Sequence, residues 1–249
     1  MIKLIVSDFD GTLLPYGQAH VSTEAKFLIE KALDQKITFA VSSGRTYNEL
    51  VALLPEFADR LYFISCDGAH YAKGGKNLYE KKIEASDLAL FFDFGHKFGD
   101  FSFVLHGAQS NYCFGDIPSS AKIFEPLPVS RATEISEKIY KVTTYGREFK
   151  PSPYSGLRMH WDGGKELSAQ YVNRFANKCV ALSDLQMRLM LTKFDTACIG
   201  DSGNDVVMMK GAKHSYSVGN RCHELLCSVT SQVTTVEEAL KDILSINMK

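Results

Sequence analysis

The sequence lacks the marks of a metal ribbon, a redox dithiol, a membrane span or a nucleic-acid surface. Its six cysteines, at positions 66, 113, 179, 198, 222 and 227, form no Cys-x-x-Cys pair, which excludes a zinc ribbon and a thioredoxin-type motif. Cys66 and Cys198 lie in apolar runs and read as small buried thiols. No stretch approaches the ~20 apolar residues that a membrane helix needs. The segment Met1–Asp8 carries too short an apolar run for a signal peptide. There is no Asn-x-Ser/Thr sequon, and neither charge sign dominates: Lys plus Arg number 28 against 29 Asp plus Glu, a net charge of -1. A nucleic-acid or anionic-membrane partner usually needs a basic surface, so neither is expected. The absences together describe a soluble protein of a reducing compartment, expected in the cytoplasm.

What is present is ordinary globular material. The 249 residues are 45% hydrophobic and 23% charged, enough for a sizeable core in one large domain or two moderate ones. Ile2–Ser7 is short, aliphatic and β-branched, reading as a buried strand that runs into Asp8-Phe9-Asp10-Gly11-Thr12. Ser22 is a candidate N-cap for an amphipathic helix over 23–35, with Phe27, Leu28, Ala32 and Leu33 at helical spacing. A second apolar run, Ile37–Val41, ends in Ser42-Ser43-Gly44-Arg45, and a helix over 46–54 follows. A third strand, Leu61–Ser65, ends in Cys66-Asp67-Gly68. Strands alternating with helices predict a parallel sheet covered on both faces.

From about 83 to 177 the sequence is richer in aromatics, with alternating segments such as Phe101–His106 punctuated by Gly107, Gly115, Gly156, Gly163 and Gly164. That pattern predicts hairpins of an antiparallel sheet. Glu134–Tyr140 reads as a short helix and Leu157–Trp161 as a strand whose Met159 and Trp161 enter the sheet core. His106 and His160 read as hydrogen-bonded structural residues, since no His/Cys spacing supports zinc. After this stretch the strand–helix rhythm returns: a helix over Cys179–Leu191, a strand at Thr196–Gly200 ending in Asp201-Ser202-Gly203-Asn204-Asp205, a helix over Val206–Lys210, a strand near Ser215–Val218, and helices near 220–227 and 236–244. The expected fold is α/β, a Rossmann-like three-layer core over 1–81 and 178–249. An α+β domain with an antiparallel sheet, 82–177, is inserted between them.

Three strand ends carry polar residues: Asp8 and Asp10; Ser43, Gly44 and Arg45; Asp201, Asn204 and Asp205. In open parallel sheets ligands bind outside the carboxyl ends of the strands, so these groups should converge. Carboxylates from two strand ends make an oxygen-rich acidic pocket suited to a hard cation such as Mg²⁺. In isolation each motif has a plain reading, a tight turn at Asp10-Gly11 or a helix cap at Ser42-Ser43 and at the Asp201 loop; their joint occurrence at strand ends favours a site.

These residues resemble the haloacid dehalogenase superfamily of phosphotransferases. Asp8-Phe9-Asp10-Gly11-Thr12-Leu13 is similar to its first motif, Ser43-Gly44-Arg45 to its second and Asp201-Ser202-Gly203-Asn204-Asp205 to its fourth. Ser215-Tyr216-Ser217-Val218-Gly219-Asn220 further resembles the Cof-type branch, which removes phosphate from small phosphorylated metabolites. The third motif needs a lysine. Lys165, in Asp162-Gly163-Gly164-Lys165, lies too far from the Asp201 strand without an extra insert, and its glycines read as a hairpin turn. Lys178 opens the helix that leads to that strand, before Ala181-Leu182, and is the choice.

The resemblance implies a Mg²⁺-dependent phosphomonoesterase acting on a small metabolite such as a sugar or polyol phosphate. It makes Asp8 the nucleophile and Asp10 the general acid and base; Asp8, Asp201 and the Asp10 carbonyl hold the metal. Lys178 and Ser43 would hold the phosphoryl oxygens, with Gly44, Arg45 and Asn204 at the substrate and Asp205 positioning Lys178 or metal waters. It further implies that the inserted domain is a cap that opens and closes over the core site. A phosphomutase of the same superfamily and a catalytically silent metabolite-binding protein are the alternatives, the latter disfavoured by the presence of both Asp8 and Asp10. Three places depart from the family pattern, the first being Asn173 and Arg174 within Tyr171–Phe175, where more apolar residues are usual, which blurs the boundary of the inserted domain there. Ser43 replaces a common threonine and keeps the hydroxyl. Asp67 stands where asparagine is common, and a carboxylate there would repel anionic parts of a substrate or bind a cationic or polyol group.

Overall fold

The computed structural model describes residues 1–161 and 168–247. The chain opens with β1 (Leu4–Asp8), α1 (Thr23–Asp34), β2 (Thr38–Ser42), α2 (Tyr47–Leu53), β3 (Tyr62–Ser65), β4 (His70–Lys73) and β5 (Lys76–Glu80). It continues through α3 (Ala85–Lys97), β6 (Phe101–Gly107), β7 (Asn111–Phe114), β8 (Leu127–Pro128), β9 (Ile139–Gly146), β10 (Leu157–Trp161) and β11 (Ser168–Asn173). It closes with α4 (Lys178–Arg188), β12 (Thr196–Gly200), α5 (Val206–Met209), β13 (His214–Val218), α6 (His223–Leu226), β14 (Ser231–Val233) and α7 (Val236–Ile246). Two compact units result, one of residues 1–45, 49–79 and 177–249, the other of 46–48 and 80–176.

The first unit is built on an eight-stranded sheet in the order β14-β13-β12-β1-β2-β3-β4-β5. Strands β14 to β3 of that order run parallel, while β4 turns back antiparallel to β3. All five residues of β1 are buried, as a strand covered on both faces requires. The chain winds from β1 to β2 and β3 on one side, then returns to β12, β13 and β14 on the other. The order therefore reverses at β1, the kind of switch point where open α/β sheets leave a crevice at their carboxyl ends. Helix α1 starts where Ser22 accepts a hydrogen bond from the Ala25 amide at 3.0 Å, and its buried Ala25, Leu28, Ile29 and Ala32 follow the 3.6-residue period.

The second unit is a six-stranded sheet, β10-β11-β9-β6-β7-β8, antiparallel except where β8 joins β7. Phe101, Phe103 and Leu105 of β6 point to one face and pack with Phe91 and Phe92 of α3, Phe149 and Tyr171.

Several expectations fail locally. No helix forms over Glu134–Tyr140; a short 3-10 turn ends at Glu134 and β9 begins at Ile139. The β-branched Val142, Thr143 and Thr144 favour the pleated surface, and β6 and β11 flank the strand and take its backbone groups. Helix α3 was concealed by its aromatics: Leu88, Phe91, Phe92 and Gly95 are buried at helical spacing. Met159 is 43% exposed rather than in the core, because β10 is an edge strand with neighbours on one side only. The side chain of Trp161, like that of His160, is not among the described ones, and the hairpin expected at Gly163-Gly164, with Lys165, lies outside the described residues. All six cysteines are free, with Cys66 and Cys198 buried. Among the described residues no helix is long and apolar enough to cross a membrane.

Candidate active site

The site grows from the loop after β1. Past Asp8 the chain curls back on itself, the Gly11 amide donating to the Leu14 carbonyl at 2.8 Å and the Leu14 amide to the Phe9 carbonyl at 2.8 Å. Gly11 has φ +85, and a Cβ there would run into the Asp201 carboxylate and the Tyr16 ring, so only glycine lets this loop approach the loop after β12. Buried Phe9 anchors the turn in the core. Asp8 is left buried at the end of β1, and Asp10 half-exposed beyond it.

Lys178 ties the centre together. Its ammonium is 2.5 Å from Asp8 Oδ1 and 2.7 Å from Asp205 Oδ1, with all three side chains nearly inaccessible to solvent. The lysine enters from the first turn of α4, which is capped by Asn177 accepting from the Val180 amide at 2.9 Å. The other oxygen of Asp205 accepts from the amides of Asp201 and Ser202 at 3.2 and 3.1 Å, so Asp205 fixes both the loop after β12 and the lysine. Burial draws the lysine toward neutrality, but the carboxylates of Asp205, Asp8 and Asp67 outweigh it and hold its pKa above the ordinary value; it stays an ammonium. Asp8 is displaced upward, by burial first and the Asp205 carboxylate second, with the pull of Lys178 opposing both.

Oxygens of Asp8, Asp201 and Asp205 lie within 4.8 Å of one another. A buried set of hard carboxylate oxygens from two strand ends, in excess over its single ammonium, fits a hard divalent cation and gives no soft ligand for zinc or copper. Asp201 is itself raised, by burial first and Asp205 second, while hydrogen bonds from Tyr16 and Thr12 work the other way. Thr12 Oγ1 donates to Asp201 Oδ1 at 3.3 Å, and the Arg221 guanidinium lies 4.3 Å from the Tyr16 ring centroid. Tyr16 and Arg221 escaped the sequence reading because neither falls in a spaced pattern; the chain must fold before Tyr16 meets Asp201 and Arg221 meets the Tyr16 ring.

Asp10 does not join the carboxylate triad. Arg45 grips it, with Nε 2.9 Å from Oδ2 and Nη2 2.7 Å from Oδ1, and Ser43 Oγ donates to Asp10 Oδ2 at 3.3 Å. Arg45, expected at the substrate, is thus engaged with the neighbouring carboxylate in this structure. Ser43 is buried at the end of β2 and also accepts from the Arg45 amide at 3.1 Å. Gly44 follows it, half-buried. Asn204 takes a hydrogen bond from Ser202 Oγ at 2.6 Å on the loop after β12. In the second unit His106 lies between Asn111 Oδ1 and Thr143 Oγ1, each 3.0 Å from a ring nitrogen. It is hydrogen-bonded on both sides.

The sequence matches the profile of the haloacid dehalogenase-like hydrolases over residues 5–239. It is 25% identical over 223 residues to a 5-amino-6-(5-phospho-D-ribitylamino)uracil phosphatase of Bacillus subtilis (strain 168), covering 88% of this chain and 84% of that one. A phosphatase of Escherichia coli (strain K12) named for the same substrate is 21% identical over 235 residues, covering 88% and 86%. Among solved structures, a Streptococcus mutans UA159 protein, SMU.1108c, superposes with a TM-score of 0.84 at 21% identity, covering 98% of this chain and all of its own. That likeness establishes a shared fold.

Proposed function

The chain belongs to the haloacid dehalogenase-like hydrolases and is a phosphatase, and we propose that it hydrolyses a small phosphorylated metabolite, a sugar or polyol phosphate, through a phosphate ester of Asp8. The observation that carries this reading is the seating of Lys178 between Asp8 and Asp205 at the strand ends where the sheet order reverses. Two relatives named for a phosphorylated ribityl compound support the substrate class.

A phosphate ester resists attack because its own negative charge repels nucleophiles. Mg²⁺ held by Asp8, Asp201 and the main-chain carbonyl of Asp10 would supply neutralisation of that charge and orientation of the phosphoryl group. Asp8 attacks phosphorus and the ester oxygen leaves. Asp10 protonates the leaving oxygen, then takes a proton from the water that releases phosphate from Asp8. Lys178 and the Ser43 hydroxyl hold the phosphoryl oxygens as charge moves between attacking and leaving atoms. Asp205 keeps Lys178 aimed at Asp8, and Gly44, Arg45 and Asn204 line the approach. The unit of residues 46–48 and 80–176 serves as the cap that reads the organic part of the substrate.

The test is phosphate release from a panel of phosphorylated sugars, polyols and p-nitrophenyl phosphate, with Mg²⁺ and with chelator. Release that stops on chelation is expected. Release that persists undiminished in chelator contradicts the cation's role, and none from any ester by folded protein with Mg²⁺ contradicts the reading itself.

A further inference from the structure

Just past β3, Asp67 carries a carboxylate whose one part in the mechanism so far is its attraction on the Lys178 ammonium. Asp67 sits in the left-handed region at φ 55, ψ 34, a conformation that aspartate and asparagine tolerate better than most residues. Its amide donates to the Ser43 carbonyl at 3.0 Å, and the adjacent Cys66 amide donates to the Arg45 carbonyl at 2.8 Å. These two bonds fasten the loop after β3 to the loop after β2, which carries the phosphate-holding Ser43. The Asp67 side chain lies over Gly44: a Cβ on that glycine would stand 3.2 Å from Asp67 Oδ1 and 3.3 Å from Oδ2. A side chain at 44 would therefore displace the carboxylate.

Asp8, Asp10, Asp201 and Asp205 each have a donor on the carboxylate, from Lys178, Arg45, Thr12 or the loop amides. Among the described residues no hydrogen bond or ion pair ends on the Asp67 carboxylate. It is half-buried, so water does not wholly replace what is missing. A rigidly placed acceptor with unused lone pairs, beside the residues that hold the phosphoryl group, is suited to a donor on the ligand.

We propose that Asp67 sets the charge preference of the site. Its carboxylate accepts from an ammonium or hydroxyl group on the organic part of the substrate and repels a carboxylate or second phosphate. The substrate class is thereby narrowed to phosphorylated amines and polyols with a neutral or cationic organic part. This rests on the phosphatase reading above.

A charge series on one scaffold tests it: O-phosphoethanolamine, 2-hydroxyethyl phosphate and 2-phosphoglycolate, with p-nitrophenyl phosphate as a reference ester. Wild-type kcat/KM should fall along the series, by about tenfold at each step for a unit charge change within several ångströms at an intermediate dielectric. Asp67→Asn keeps the left-handed backbone and the shape while removing the charge. It should compress the whole series to within about threefold, with any change that comes through its attraction on Lys178 falling by the same factor on p-nitrophenyl phosphate as on the other esters. An order of preference identical in wild type and Asp67→Asn overturns the inference. So does an equal loss on all four esters in Asp67→Asn, which would show that Asp67 acts only by supporting Lys178. Failure of the wild-type protein to release phosphate from any of the four overturns the phosphatase reading and this inference with it.

Discussion

In the unit built around β1, the centre of interest is buried charge: Asp8, Lys178, Asp201 and Asp205 are all at most 5% exposed. In the unit built around β6, the centre is a cluster of rings. Phe92 meets Phe103 edge-on at 5.1 Å between centroids, and Phe91 meets Tyr171 in the same way at 5.2 Å. Burying charges costs several kcal/mol per ion even after relaxation, whereas aromatic burial is favourable outright. The first arrangement survives because Lys178 compensates Asp8 and Asp205 while hydrogen bonds from Thr12 and Tyr16 reach Asp201, and buried charge of this kind persists where chemistry requires it. The second arrangement answers only to packing. Removing a group should therefore damage function in the first unit and stability in the second, with Lys178 the residue at which both are lost.

The largest effect belongs to Asp8. Asp8→Asn keeps the shape and removes the proposed nucleophile, so turnover of p-nitrophenyl phosphate should drop on the order of 10³-fold or more. Because burial and Asp205 make the ionised Asp8 unfavourable on balance, the melting temperature should be no lower than that of wild type; near-normal turnover would remove Asp8 from the mechanism. Lys178→Ala comes next. It strands two buried carboxylates, so calorimetry or urea unfolding should show a loss of about 3–5 kcal/mol, together with a rate loss far exceeding that of Lys165→Ala. The reverse ranking of the two lysines would show that Lys165 is the catalytic one.

Phe91→Ala probes the other side of the comparison. The cavity should lower stability by about 3–5 kcal/mol, yet leave kcat for p-nitrophenyl phosphate near wild type at temperatures where the protein is folded. A rate loss as deep as that of Lys178→Ala would erase the distinction between the units. The smallest effect concerns His106. Burial first, and Lys141 second, push its pKa down to about 3, so the folded protein keeps it neutral while the unfolded chain protonates it near 6.5. A depressed histidine favours the folded state above 6.5, and that contribution is lost as pH falls from 6.5 toward 3. His106→Gln should flatten the stability curve over that window; an unchanged slope would show that the imidazole does not titrate differently in the two states.

The parallel sheet was legible because its strands are buried on both faces and read as aliphatic runs, each ending in polar residues: Leu4–Asp8, Thr38–Ser42 and Thr196–Gly200. The second unit was harder. Its aromatics suit helix and strand alike, so α3 stayed hidden, and Ile135 with Ile139 imitated a helical repeat that the cross-strand partners of β9 override. At the site, the motif residues could be selected from sequence, but their partnerships could not. The grip of Arg45 on Asp10, the approach of Tyr16 to Asp201 and the closeness of Asp67 to Gly44 join residues whose spacing carries no signal, since only the side-by-side placement of strand ends brings them together.

The central claim is that Asp8 carries the phosphoryl group, and the most direct measurement is mass spectrometry of protein quenched in acid during turnover of a phosphorylated substrate with Mg²⁺. The account predicts a covalent phosphate on the peptide bearing Asp8, lost in Asp8→Asn and retained when Lys165 is replaced. Steady turnover in which that peptide is never phosphorylated, even under rapid quenching, would contradict it.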